Sequence, residues 1–258
     1  MILSRRAALG GVQLDELHEA IVIRSLDPGI VHETTNAVSR MGGTGQRVTG
    51  EHFDTLEATV TYAIDLPKRQ MEERKAVYDS VIAWANRKGW LTFSHMPNRR
   101  LRVDKVVWPG GGDMWDWLNE YTLTFRAYNV PFWQEETPTQ AVIDLSAGGN
   151  VYIDVNGNTG TVLDVTFENR SGMEIPDFSV TAGDSSISLS GMGLGGGQTL
   201  MIHHGTDGLL RIQIGNRSVY EKHTGSDDLY VNPGRTRVGF SATRAGRFTV
   251  QSYGRFIG

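Results

Sequence analysis

Between residues 55 and 66, apolar and polar side chains alternate without a break. Leu56, Ala58, Val60, Tyr62, Ile64 and Leu66 fall on one side; Thr55, Glu57, Thr59, Thr61, Ala63 and Asp65 fall on the other. A period of two is the strand period, so the pattern predicts a strand with one buried face. Pro67 removes a ladder donor and ends it. The period then changes. Residues 69–88 hold no Gly or Pro and are rich in good helix formers. Val77, Tyr78, Val81, Ile82, Trp84 and Ala85 recur at helical spacing and form an apolar stripe. Glu72 and Glu73 in the first turn, with Arg87 and Lys88 in the last, complement the helix dipole. Gly89 stands where a C-terminal cap glycine belongs. Extended chain resumes at residues 90–93. The pattern predicts this one helix, laid over one face of a sheet in a mainly β domain.

The flanks extend the β reading. Residues 20–26 predict a strand, and Asp27-Pro28-Gly29 a turn. Residues 30–41 are mixed and read as extended. Gly42-Gly43-Thr44-Gly45, closing at Gly50, reads as a flexible loop at the tip of a long hairpin arm. Residues 101–107 predict a strand, and 109–113 a loop. Met114, Trp115 and Trp117 then crowd together and read as an edge-strand or interface cluster, or as a sugar platform. Tyr121, Leu123, Phe125 and Ala127 alternate with Thr122, Thr124 and Arg126, a second half-buried strand. Residues 129–138 hold Pro131, Phe132, Trp133 and Pro138, break both periods and read as a linker. Beyond it helical periodicity is absent. About nine short strands between turn signals predict a β-sandwich or jelly roll. Asn156-Gly157-Asn158 is read as a hairpin turn between two of them.

Composition narrows the function classes. The 258 residues suit two domains, and a net charge of −4 gives no electrostatic reason to expect nucleic acid. With no cysteine, disulfides and thiolate metal sites are excluded. No apolar run approaches the length of a membrane-spanning helix. Ser4-Arg5-Arg6 starts like an export signal, but Gly10, Gly11, Asp15 and Glu16 break the apolar stretch, which leaves a short, partly disordered arm.

The chemical motifs are weak. Gly191-Met192-Gly193-Leu194-Gly195-Gly196 matches a dinucleotide fingerprint as a string, but strands rather than a strand and a helix flank it. Gly183-Asp184-Ser185 resembles an esterase nucleophile block in the wrong fold context. Asp154-Val155-Asn156-Gly157-Asn158 opens like a calcium loop, yet Val165 stands where the closing acid belongs. His203-His204 with Asp207 is the best metal or hydrolase candidate. Neighbouring strand residues face opposite ways, however, so a solvated pair is the simpler reading. With no convergent acid, base or nucleophile, a binding or structural protein is favoured.

The order of elements is strand, glycine-rich arm, alternating strand, single helix, β-return, linker and β-sandwich. With the strand at 55–66, the helix at 71–88 and Glu120-Tyr121-Thr122-Leu123-Thr124-Phe125 ahead of Pro131-Phe132-Trp133, it resembles the distal tail protein (Dit) of long-tailed, siphovirus-type bacteriophages. The resemblance implies a mainly β fold in two domains. Residues 1–134 would be a ring-forming β-barrel or split sheet with one helix at 69–88, and 135–258 a galectin-like β-sandwich. It implies a structural virion protein at the distal end of the tail, made in the host cytoplasm, without enzymatic activity, cofactor or metal. The implied partners are further copies in a hexameric ring, the tail tube protein, the tail-tip hub protein, and the tape measure and receptor-binding proteins, with no nucleic-acid recognition and no membrane insertion. A head-to-tail ring needs two different complementary surfaces on each subunit. Gly42, Gly43, Gly45, Arg47 and Gly50 of the arm, with Trp115 and Trp117, are the candidate subunit contacts. The alternative is a carbohydrate-binding protein whose sandwich attaches to host-surface glycans, with Trp115, Trp117 and Tyr152 lining the groove. A third reading is a hydrolase around His203, His204 and Asp207.

Overall fold

The computed structural model describes residues 5–39, 46–87, 89–108 and 120–258. The chain divides into two compact units, Met1–Trp133 with Ile257–Gly258, and Gln134–Phe256.

The first unit contains β1 (Ala7–Leu9), β2 (Val12–Gln13), β3 (Ile21–Asp27), β4 (Glu33–Ser39), β5 (Gln46–Phe53), β6 (Leu56–Ile64), α1 (Met71–Ala85), β7 (Gly89–Phe93), β8 (Arg99–Val103), β9 (Lys105–Val107) and β10 (Glu120–Ala127). One antiparallel sheet has the order β3-β6-β10-β9, and β2-β1-β7-β8 run side by side in another. The alternation read from the sequence fixes the register of the first sheet. Leu56 pairs with Ala127, Val60 with Leu123 and Tyr62 with Tyr121, so the buried sets of β6 and β10 share one face. Helix α1 covers that face. Its Trp84 meets Phe125 edge-on with ring centroids 5.9 Å apart, and Tyr78 lies 5.4 Å from Tyr121. Burial, followed by the neighbouring Tyr78 and Tyr121 phenols, pushes the Tyr62 pKa far up, so its hydroxyl stays neutral.

Several expectations are corrected here. The helix is shorter than 69–88. Gln70 stands outside helical geometry, and Asn86 closes the other end with its N–H on the Ile82 carbonyl, so no basic residue lies in the last turn. Gly89 is not a cap; it begins β7, where a Cβ would come within 3.1 Å of the Gly10 Cα. Its φ of 150°, together with that close approach and not helix termination, favours glycine at that position. The N-terminal arm is ordered from Ala7, because Ala7 and Leu9 are fully buried and pair with β7. The supposed linker carries core residues. Trp133 is fully buried and donates its indole N–H to the Pro28 carbonyl at 2.9 Å.

The second unit follows β11 (Trp133–Glu135) with β12 (Thr139–Val155), β13 (Thr161–Asn169), β14 (Phe178–Ala182), β15 (Ser185–Leu189), β16 (Thr199–His204), β17 (Leu210–Ile214), β18 (Arg217–Ser218), β19 (His223–Gly225), β20 (Tyr230–Val231) and β21 (Gly234–Ser252). It is built on β12 and β21, long antiparallel partners whose register shifts between Ile143 and Gly148. Past that irregularity the neighbours change. The end of β21 pairs with β13, and β13 with β16; its beginning pairs with β14, and β14 with β15. Each long strand therefore serves two layers, and the two layers enclose one apolar cluster. Phe240 and Phe248 come from opposite halves of β21 and stack at 4.2 Å, with Phe167 and Phe178 beside them. The expected series of short strands is thus partly replaced by two long ones. Residues 156–158 do not close a hairpin, since β12 pairs with β21 and not with β13.

Candidate assembly site and the histidine cluster

Strands β4 and β5 form a hairpin in which Glu33 pairs with Phe53 and Ser39 with Gln46. Seven paired residues give it a reach of about 23 Å. At its base the Asp54 N–H donates to the His32 carbonyl at 2.8 Å, and the Phe53 ring meets Phe132 edge-on at 4.8 Å. Among the described residues the two strands pair only with each other. Both outer edges therefore present ladder groups to an added strand. The expected loop is shorter than 42–50, because β5 begins at Gln46. Arg47 lies opposite Val38, and Gly50 opposite Asn36 beside a register shift. Gly42, Gly43, Gly45, Trp115 and Trp117 lie outside the described residues.

The histidine candidates separate. Asp207 pairs with Arg211 at 2.9 Å and accepts the Leu209 N–H, which, ahead of Arg211, holds its carboxyl below the usual range. His204 turns elsewhere and is not solvated. Its Nδ1 lies 3.3 Å from Asp164 Oδ1 and its Nε2 2.6 Å from Asp228 Oδ1. The His204 N–H also donates to Asp164, at 3.1 Å. Both ring nitrogens face carboxylate oxygens, so the geometry suits the doubly protonated ring. Burial alone lowers the His204 pKa, but the hydrogen bonds and charges of Asp164 and Asp228 outweigh it and the net shift is upward. Arg255 completes the cluster; burial pushes its pKa down against the charges of Asp228, Tyr230 and Asp164. Asp164 is 40 residues from His204 and Asp228 is 24, so no local motif announces either partner.

This cluster ties β13, β16 and the approach to β20 together, and its stabilising effect has a sign. The His204 pKa is raised on folding, so the contribution is complete below about pH 6.5 and fades as pH climbs through the raised value. We expect urea melts to show the second unit losing stability over that rise. His204→Gln should flatten the profile. An unchanged slope in that variant would assign the titration to another group.

Among the described residues no group of three or more His, Cys, Asp or Glu side chains could hold a metal ion, and no helix is long and apolar enough to cross a membrane. Gly183-Asp184 is the tight turn between Ala182 and Ser185, with Gly183 at φ 56°, so the esterase-like string has a purely conformational explanation.

No family model matches the chain, and no curated protein does. Solved structures do. The chain superposes on the crystal structure of the Dit protein of phage SPP1 with a TM-score of 0.64 and 11% identity, covering 96% of this chain and 98% of that one. SPP1 Dit is described as a paradigm of the hub adsorption apparatus in phages infecting Gram-positive hosts. Chains of the phage P2 baseplate in its activated conformation, with Ca and with Sr, align at TM-scores of 0.44 with 8% and 9% identity. They cover 96% of this chain and 98% and 97% of theirs. The likeness to SPP1 Dit shows the fold: this chain is mainly β and has the Dit architecture over nearly its whole length.

Proposed function

We propose that this chain is a structural protein of a phage tail tip, a distal tail protein that closes into a ring and carries no catalytic activity. One observation carries the reading: the fold of SPP1 Dit matches along 96% of the chain, both units included, and not over a single common module. The ring is hexameric in this proposal. Residues 1–134 form its body, and 135–258 are the galectin-like sandwich. The tail tube protein lies on one side and the tail-tip hub on the other, with the tape measure and receptor-binding proteins as further neighbours.

The arm supports this reading physically. A two-stranded hairpin standing by itself is marginal in water, and one with two open edges gains most by pairing with a neighbour's strand. Arg47 and Gly50 sit on that arm; Gly42, Gly43, Gly45, Trp115 and Trp117 stay in the proposal as subunit contacts. The test is negative-stain imaging and mass measurement of the purified full-length chain, alone and with the tail tube protein. Closed rings are expected. A variant with residues 34–52 replaced by a short turn should keep its melting temperature and yield monomers only. Rings that survive the deletion would remove the arm from the interface. Monomers from the intact chain under every condition, tube protein included, would defeat the ring itself.

A further inference from the structure

On the outer face of the sandwich layer formed by β12, β21 and β14 lies a trough of about 500 Å³. Asn150, Thr181, Arg235, Arg237 and Gly239 line it. Gly239 keeps it open: a Cβ there would come within 2.9 Å of Thr181 Oγ1 and 3.1 Å of Asn150 Oδ1. These side chains are an amide, a hydroxyl and two guanidinium groups, and no carboxylate lines the trough. Arg237 is held in place by its Nε, which donates to Asn150 Oδ1 at 3.0 Å, so its terminal nitrogens are pre-aimed. Arg235 lies over the Tyr152 ring, 4.8 Å from its centroid. Tyr152 is itself 54% exposed. Among the described residues neither arginine has a carboxylate within salt-bridge distance.

We propose that this trough binds an anionic saccharide, a sugar carrying phosphate or carboxylate. Two oriented guanidinium forks suit a doubly bonded oxyanion. The Asn150 amide and Thr181 hydroxyl supply the planar and rotatable partners that ring hydroxyls require. The Tyr152 ring steadies the Arg235 guanidinium stacked on it. A neutral glycan would leave the arginines unanswered. An acidic peptide could answer them, but would not use a glycine-floored trough edged with hydroxyl and amide groups. The site belongs to the sandwich and does not depend on ring formation.

The test is calorimetric titration of the full-length chain with three probes: a phosphodiester-linked oligosaccharide, a uronic-acid oligosaccharide, and a neutral oligosaccharide of equal length. One acidic class should bind, more weakly as salt rises, and the neutral one should not. Which acid binds separates phosphate from carboxylate recognition. Arg237→Gln and Arg235→Gln should each weaken binding about tenfold with unchanged melting temperatures. Gly239→Val should abolish it, and the two surface variants keep the test decisive if that one folds poorly. Arg247→Gln, on the other layer, should bind like the wild type. No heat with either acidic probe, equal binding of the neutral one, or full affinity in the Arg235–Arg237 double variant would overturn the proposal. Binding to an acidic peptide alone would overturn it as well.

Discussion

Replacing Trp84 with alanine is expected to destabilise the first unit by about 3–5 kcal/mol. Trp84 is 1% exposed and sits on the helix face that covers β6 and β10. Its removal does three things at once. It opens a cavity the size of an indole between helix and sheet. It ends the edge-on contact with Phe125. It leaves the Val12 carbonyl without the indole N–H that donates to it at 2.7 Å. Trp84→Phe separates these effects, because it retains most of the packing and loses the donor. It should cost about 1–2 kcal/mol. Hydrogen exchange can locate the damage: amides of α1, β6 and β10 should lose protection in Trp84→Ala, while those of β13 and β16 keep theirs. Uniform loss across both units would mean that the chain unfolds as one body.

The elements legible in the sequence are those with a single, constant environment. Residues 56–64 and 121–127 keep one face inward from end to end, so their alternation survives intact. The helix stripe is legible for the same reason, but nothing in the sequence marks Arg74 as part of it. It is 3% exposed and donates to the Ile64 and Leu66 carbonyls. A charged residue that caps the end of the preceding strand looks in sequence like a solvated one. The long strands were illegible because each changes layers midway. At the register shifts between Ile143 and Gly148 the inward and outward phases slip, and one strand then reads as two short ones. Leu145 sits in that slip at φ 52°, 70% exposed, an uncommon geometry for a branched side chain. Pro131 and Pro138 disguised the buried Phe132 and Trp133 as linker. The cluster of His204, Asp164, Asp228 and Arg255 is joined only by the fold, so no spacing rule could find it. Neither could spacing reveal the trough, since Asn150, Thr181 and Arg237 meet only across paired strands.

Asn169→Asp should be among the most damaging isosteric changes in the second unit, because shape is kept and only donors are lost. Asn169 is fully buried at the end of β13. Its amide nitrogen donates to the Met173 carbonyl at 2.6 Å and to the Leu194 carbonyl at 2.9 Å. Its amide oxygen accepts the Ser171 N–H at 2.9 Å and the Ser171 hydroxyl at 2.7 Å. An aspartate keeps the acceptor side and sets a carboxylate oxygen against two carbonyls. Near neutral pH the cost should reach about 3 kcal/mol or more. The sign with pH follows from burial. The new carboxyl's folded pKa must rise above its unfolded value near 3.9. The ionisation penalty is therefore absent below that value, grows as pH rises towards the folded pKa, and is constant above it. Protonation restores one donor of two, so about 1 kcal/mol should persist in acid. Urea melts of wild type and variant at acid, intermediate and neutral pH measure the difference directly. A gap that widens with pH fits the paired carbonyls. A gap equal at every pH would mean that the carboxylate has turned to solvent, and that Asn169 holds the 169–173 turn less tightly than its four hydrogen bonds indicate.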